Sequence, residues 1–208
     1  VEILATGIVL LIAMTVHEFA HNYVAYRMGD NTPRELNKLT LNPLAHIYWP
    51  GWLMWTFFGF GILGTANINA RRMRDPRIGE LLAVAAGPFS NLLLAVIFAI
   101  PFRFGLMDPN LSFNQRAIVP TVEQLFTLGV LMNISLFLFN LLPLFPFDGW
   151  TVMMRLVPPE VAYQLEPHRQ TSTLIFFAIF ALAVLNIIDL FSIILGPPTS
   201  YLLNLLLG

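Results

Sequence analysis

No cysteine occurs in the 208 residues, which rules out disulfides and thiolate metal sites at once. Charge is scarce as well: Asp, Glu, Lys and Arg make up 11% of the chain, where a soluble domain carries about 25%. The formal net charge of −1 gives no reason to expect a nucleic-acid partner. No internal repeat is visible, and no polar stretch is long enough to form a second domain. What remains is apolar: 57% of the residues are hydrophobic and the mean hydropathy is +0.71. The solvent this composition suits is lipid, and residues 1–208 are expected to form a single membrane domain.

A helix that crosses a bilayer needs about 20 mostly apolar residues, and four segments qualify, at about 3–28, 80–102, 119–146 and 172–195. The first apolar run is too long for a signal peptide and lacks a basic leader, so it is expected to be a span. Residues 49–66, WPGWLMWTFFGFGILGTA, are glycine-broken and aromatic. That stretch is expected to re-enter the membrane or lie at its surface in a β-like form rather than as a helix. Gly196-Pro197-Pro198 is expected to end the fourth span, leaving the tail as a half-span or interfacial piece. The expected fold is an all-α polytopic bundle of about four transmembrane helices with a re-entrant or β-like segment near residues 49–66.

The basic residues set an orientation. If 49–66 does not cross, Arg27, Arg34, Lys38, Arg71, Arg72, Arg74, Arg77, Arg155 and Arg169 fall on one side, and only Arg103 and Arg116 on the other. The positive-inside rule makes the first side cytoplasmic. The expected location is the plasma membrane of a prokaryote.

Within the first span stands His17-Glu18-Phe19-Ala20-His21. Positions four apart on a helix differ by about 40° in azimuth and 6 Å in height, so His17 and His21 reach one cation together. Two imidazoles with an adjacent carboxylate form the H-E-x-x-H pattern: two zinc ligands and a base placed to take a proton from the attacking water. The plainer alternative is a set of satisfied polar residues in a bundle. Against it stands an insertion cost of about 2.5–3.5 kcal/mol for a charge near a helix centre.

Such a zinc requires a third protein ligand. His46 and His168 lie in connections, and Glu80, Glu123, Asp148 and Asp189 abut apolar segments. Asp148 stands out. In NLLPLFPFDGW (Asn140–Trp150) two prolines and an Asp-Gly pair end the third span, and irregular backbone at membrane depth is tolerated where it lines a cavity. Both halves of the site then fall on the cytoplasmic side. His46 is expected to be a structural loop residue.

Three motifs together, HEFAH, AAGPFSNLLLA (Ala85–Ala95) and NLLPLFPFDG, resemble the site-2 protease family of intramembrane zinc metalloproteases, the M50 peptidases. LTLNPLAHI (Leu39–Ile47) is similar to the compact bacterial and archaeal members without a PDZ or CBS domain. The resemblance implies one Zn2+ per chain held by His17, His21 and Asp148, with Glu18 as catalytic base. It implies that Asn140 assists substrate or oxyanion binding, that Asn91 shapes the substrate groove, and that Pro88 bends its helix. Phe147 stands where relatives often have leucine, and Tyr48 where compact members often have aspartate. The activity implied is hydrolysis of peptide bonds in or near transmembrane segments of substrate proteins, in contact with the lipid bilayer. The rival is a divalent-metal transporter using the same helix as an ion site; it would need further ligands on neighbouring spans.

Overall fold

The computed structural model describes residues 2–58, 61–112 and 119–208. Gly59 and Phe60 of the 49–66 run, and Arg116 of the basic residues counted above, lie outside the described residues.

The chain runs through α1 (Glu2–Arg27), α2 (Thr32–Glu35), α3 (Trp49–Phe58), α4 (Pro76–Arg103), α5 (Val122–Asn140), α6 (Asp148–Leu156), α7 (Pro159–Leu165), α8 (Arg169–Val184) and α9 (Leu190–Leu207). Local signals set the ends. Gly29, at φ 112°, takes the left-handed conformation that stops α1. The Asp75 side chain accepts from the amides of Arg77 and Ile78 and, with Pro76 behind it, starts α4. Thr121 and Gln124 close a reciprocal capping box on α5.

α1, α4 and α5 pack on one another and form the core that carries the site. Small residues let the backbones approach: Ala5 and Val9 of α1 meet Leu128 of α5, and Ala95 and Ala99 of α4 meet Val130 and Ile134 of α5. The second half of α9 lays Leu202, Leu203 and Leu206 against the α4–α5 face. α1, α4, α5 and α9 are each long and apolar enough to cross a membrane.

Two expectations about the last span change here. The segment at 172–195 is not one span: α8 ends at Val184, Asn186 turns at φ 54°, and the Asp189 side chain caps a new helix through the amide of Ser192. Gly196-Pro197-Pro198 does not end a helix either, for α9 runs through both prolines to Leu207. The helix break is made by an asparagine in the left-handed conformation and an aspartate cap, while the prolines only remove two donors from a helix that continues.

Residues 49–66 divide in two. The first half is α3, ten residues, or about 15 Å, half the hydrocarbon thickness of about 30 Å. That helix corrects the expectation of a non-helical stretch, whereas the described residues of the second half, 61–66, are extended as expected. They return along the loop before α3: the Tyr48 amide donates to the Leu63 carbonyl at 3.0 Å and the Thr65 amide to the His46 carbonyl at 3.2 Å. Ile47 and Gly64 form an antiparallel bridge between those bonds, and the Trp52 indole N–H donates to the Leu63 carbonyl at 3.0 Å.

Candidate metal centre

One helical turn brings the two α1 imidazoles together, with their Nε2 atoms 2.9 Å apart. Asp148, the first residue of α6, places Oδ2 3.2 Å from His17 Nε2 and 3.3 Å from His21 Nε2. Ligand bonds of about 2.0–2.1 Å at tetrahedral angles would separate the ligand atoms by about 3.3 Å. Among the described residues, His17, His21 and Asp148 are the one group that offers three ligand atoms so close together.

The hydrogen-bond partners of the two rings suit that fit. His21 Nδ1 lies 2.8 Å from the Ala83 carbonyl of α4, an acceptor only, so it carries the ring hydrogen. His17 Nδ1 lies 2.6 Å from Asn91 Oδ1 and carries its hydrogen for the same reason. In the neutral rings both Nε2 atoms then present lone pairs. Asp148 Oδ2 is buried beside them without a hydrogen-bond donor. Two lone pairs and an ionised oxygen facing one another are an unfavourable arrangement that a divalent cation resolves. The donor set of two imidazoles and one carboxylate suits zinc.

Glu18 is buried on the flank of the group. Against it lies Gly64 of the extended segment, where a Cβ would come within 2.5 Å of Glu18 Cγ and 2.6 Å of Oε1. A cavity of ≈480 Å³ opens from this point, with Glu18, Asp148 and Asn140 as polar walls among largely apolar ones such as Trp55, Leu136 and Phe139. The Asn140 amide donates to the Leu136 carbonyl of its own helix at 2.9 Å and retains a second proton.

Other residues singled out from the sequence lie elsewhere. Asn91 is wholly buried, and its side chain is engaged by His17, the Ala13 carbonyl and Asn133 rather than by the cavity. Glu80 pairs with Arg155, Glu123 sits in the first turn of α5, and Asp189 caps α9. His168 is exposed in a short turn before α8. His46 is wholly buried in its loop, with Nε2 2.8 Å from the Thr40 carbonyl. α4 passes through Pro88 as a continuous helix.

Gly87 is a functional position that motif reading passed over. A Cβ there would come within 2.2 Å of His21 Nε2 and 2.8 Å of His17 Nε2. Only the absence of a side chain lets α4 lie directly over the two ligating nitrogens. Its signal was present as the glycine of Gly87-Pro88, but the sequence does not say which neighbour it makes room for.

Comparison with known proteins agrees with this geometry. A family profile described as "Peptidase family M50" matches residues 104–185. "Putative zinc metalloprotease YwhC" of Bacillus subtilis (strain 168) is 37% identical over 173 residues, covering 83% of this chain and 78% of that protein. The chain belongs to peptidase family M50. It is a zinc-dependent peptidase built on membrane-spanning helices. Among other relatives, "Putative zinc metalloprotease Rip2" of Mycolicibacterium smegmatis is 29% identical over 182 residues, 85% of this chain and 66% of its own length. "Zinc metalloprotease MJ0392" of Methanocaldococcus jannaschii is 25% identical over 185 residues, 87% of this chain and 44% of its own length. No solved structure matches the chain.

Proposed function

We propose that this M50 peptidase cuts peptide bonds inside, or at the edge of, the membrane-spanning segments of other membrane proteins, as in regulated intramembrane proteolysis. The observation that carries the reading is the placement of His17, Glu18 and His21 within a helix apolar enough to cross a membrane, facing a cavity with mostly apolar walls. A cleft of that character accepts a lipid-soluble peptide. A metal carrier would instead require a succession of ligand groups, and the described residues hold one.

His17 Nε2, His21 Nε2 and Asp148 Oδ2 would hold the zinc. When bound, zinc supplies Lewis acidity, which polarises a scissile carbonyl and acidifies water. Glu18 takes the proton of the attacking water and delivers it to the leaving amine. Asn140 lines the same cavity, and the amide proton it does not use on Leu136 can donate to the developing oxyanion.

A helical substrate hides its carbonyls in its own hydrogen bonds, so it must unwind before it is cut. The extended segment offers a place to hold the unwound chain. Residues 63 and 65 bond to the 46–48 loop, and strand alternation turns the backbone groups of Gly64 and Ala66 to the opposite edge. Both residues line the cavity. A substrate strand adds along that edge, with its scissile bond brought to Glu18. The excess of arginine and lysine at the site's end of the bundle favours a cytoplasmic opening in a prokaryotic plasma membrane, from which water reaches Glu18.

The test is metal content of the purified protein together with cleavage of a model single-span substrate, with and without chelator. The expected result is about one zinc per chain and cleavage that chelation stops and zinc restores. Chelator-resistant cleavage, or zinc transport into proteoliposomes without cleavage, would overturn the reading.

A further inference from the structure

His21 and His17 are oriented by different means. The Ala83 carbonyl that fixes His21 is main chain, whereas the acceptor for His17 is the side chain of Asn91, which could turn either way. What prevents it is the next layer. Asn91 Nδ2 donates to the Ala13 carbonyl of α1 at 3.2 Å and to Asn133 Oδ1 of α5 at 2.9 Å. Asn133 is itself oriented, because its Nδ2 donates to the Gly129 carbonyl at 2.8 Å. Turning either amide over would set oxygen against oxygen in a site with no water exposure, for Asn91 and Asn133 are both at 0%.

We infer that Asn133, which lies outside the cavity, is a positioning residue for the zinc ligand His17. It acts through Asn91 to keep the proton on Nδ1 and the Nε2 lone pair on the metal. The inference rests on the proposal that His17 holds zinc. Orientation passes from a main-chain carbonyl of α5, through one asparagine on α5 and one on α4, to a histidine on α1. Removing such an outer partner from a zinc site weakens metal binding by about 10–100-fold elsewhere.

A double-mutant cycle on the full chain in detergent, read as zinc affinity by chelator competition, tests this. Asn133→Leu should weaken zinc binding by about 10–100-fold. Asn91→Leu removes the link through which Asn133 acts, so Asn133→Leu should change affinity little further in that background. An equal loss in both backgrounds would reduce Asn133 to a packing residue and overturn the inference. Should Asn133→Leu fail to fold, the zinc-loaded wild type decides the matter through the 15N signals of its imidazoles. A protonated His17 Nδ1 is expected, and a bare one would overturn the inference. A wild type that binds no zinc, or binds it without His17, would sink the zinc-site proposal first, an outcome distinct from failure of the cycle.

Discussion

α1 and α9 are both long and apolar enough to cross a membrane and both pack on α4 and α5, yet they differ in what they bury. α1 buries Thr15, His17, Glu18, His21 and Asn22 against α4, α5 and the extended segment. No residue of α9 is buried, and its polar side chains do no more than cap it or lie partly or fully exposed. The contrast shows that apolar length reports the solvent and nothing of the role. Role is reported by polar side chains that are costly to place at that depth and are nevertheless enclosed.

Breaking the contrast at its strongest point has the largest effect. The double substitution His17→Ala/His21→Ala should take zinc from about one per chain to none, measured by elemental analysis, because a lone carboxylate is a poor zinc site. Retained zinc would mean that the ligands lie elsewhere. Next comes Glu18→Gln, which keeps the shape and removes the basic oxygen. Zinc content should hold while cleavage falls by about 10²–10⁴-fold, and undiminished turnover would assign the base to another group.

A smaller loss is expected where the substrate strand is proposed to pair. Ala66→Pro deletes one amide from the outer edge of the extended segment and should slow cleavage by about 3–10-fold, the worth of one hydrogen bond. Zinc content should stay at the wild-type level, and full activity there would leave the segment as an anchor. At the other end of the contrast, Tyr201→Ala on the exposed face of α9 should shift thermal stability by no more than about 0.5 kcal/mol. Cleavage and zinc content should not change. A large loss of cleavage would show that α9 takes part in handling substrate.

The candidate centre was legible because its chemistry confines it: H-E-x-x-H sets two imidazoles and a carboxylate side by side by spacing alone, and an aspartate after a proline-rich helix end completes the group that could hold a metal. The three core spans followed from hydropathy. The split between α8 and α9 did not, because one asparagine among apolar neighbours in Ala183–Ile188 cannot outweigh a window average, and only its left-handed backbone reveals the turn. The two prolines of α9 misled in the other direction, since a helix held by its remaining hydrogen bonds continues past them. Asn91 was placed in the substrate groove by its motif, whereas its partners on α1 and α5 put it behind a histidine. Asn133 carries no motif at all. Its meaning lies in a contact between helices, which a linear sequence does not record.

Asp148 reaches the histidines from a separate helix, on the far side of the turns that follow α5. A cation held by all three is therefore a cross-link as well as a reagent. It ties the first helix of the chain to a segment that otherwise packs on α4 and against Phe139 and Phe176. By mass action, free zinc at a thousand times its dissociation constant would add about 4 kcal/mol to the folded state. That is a large share of the roughly 5–15 kcal/mol that holds a domain together. Zinc supply would then govern how much of this protein persists, before it governs how fast any of it works.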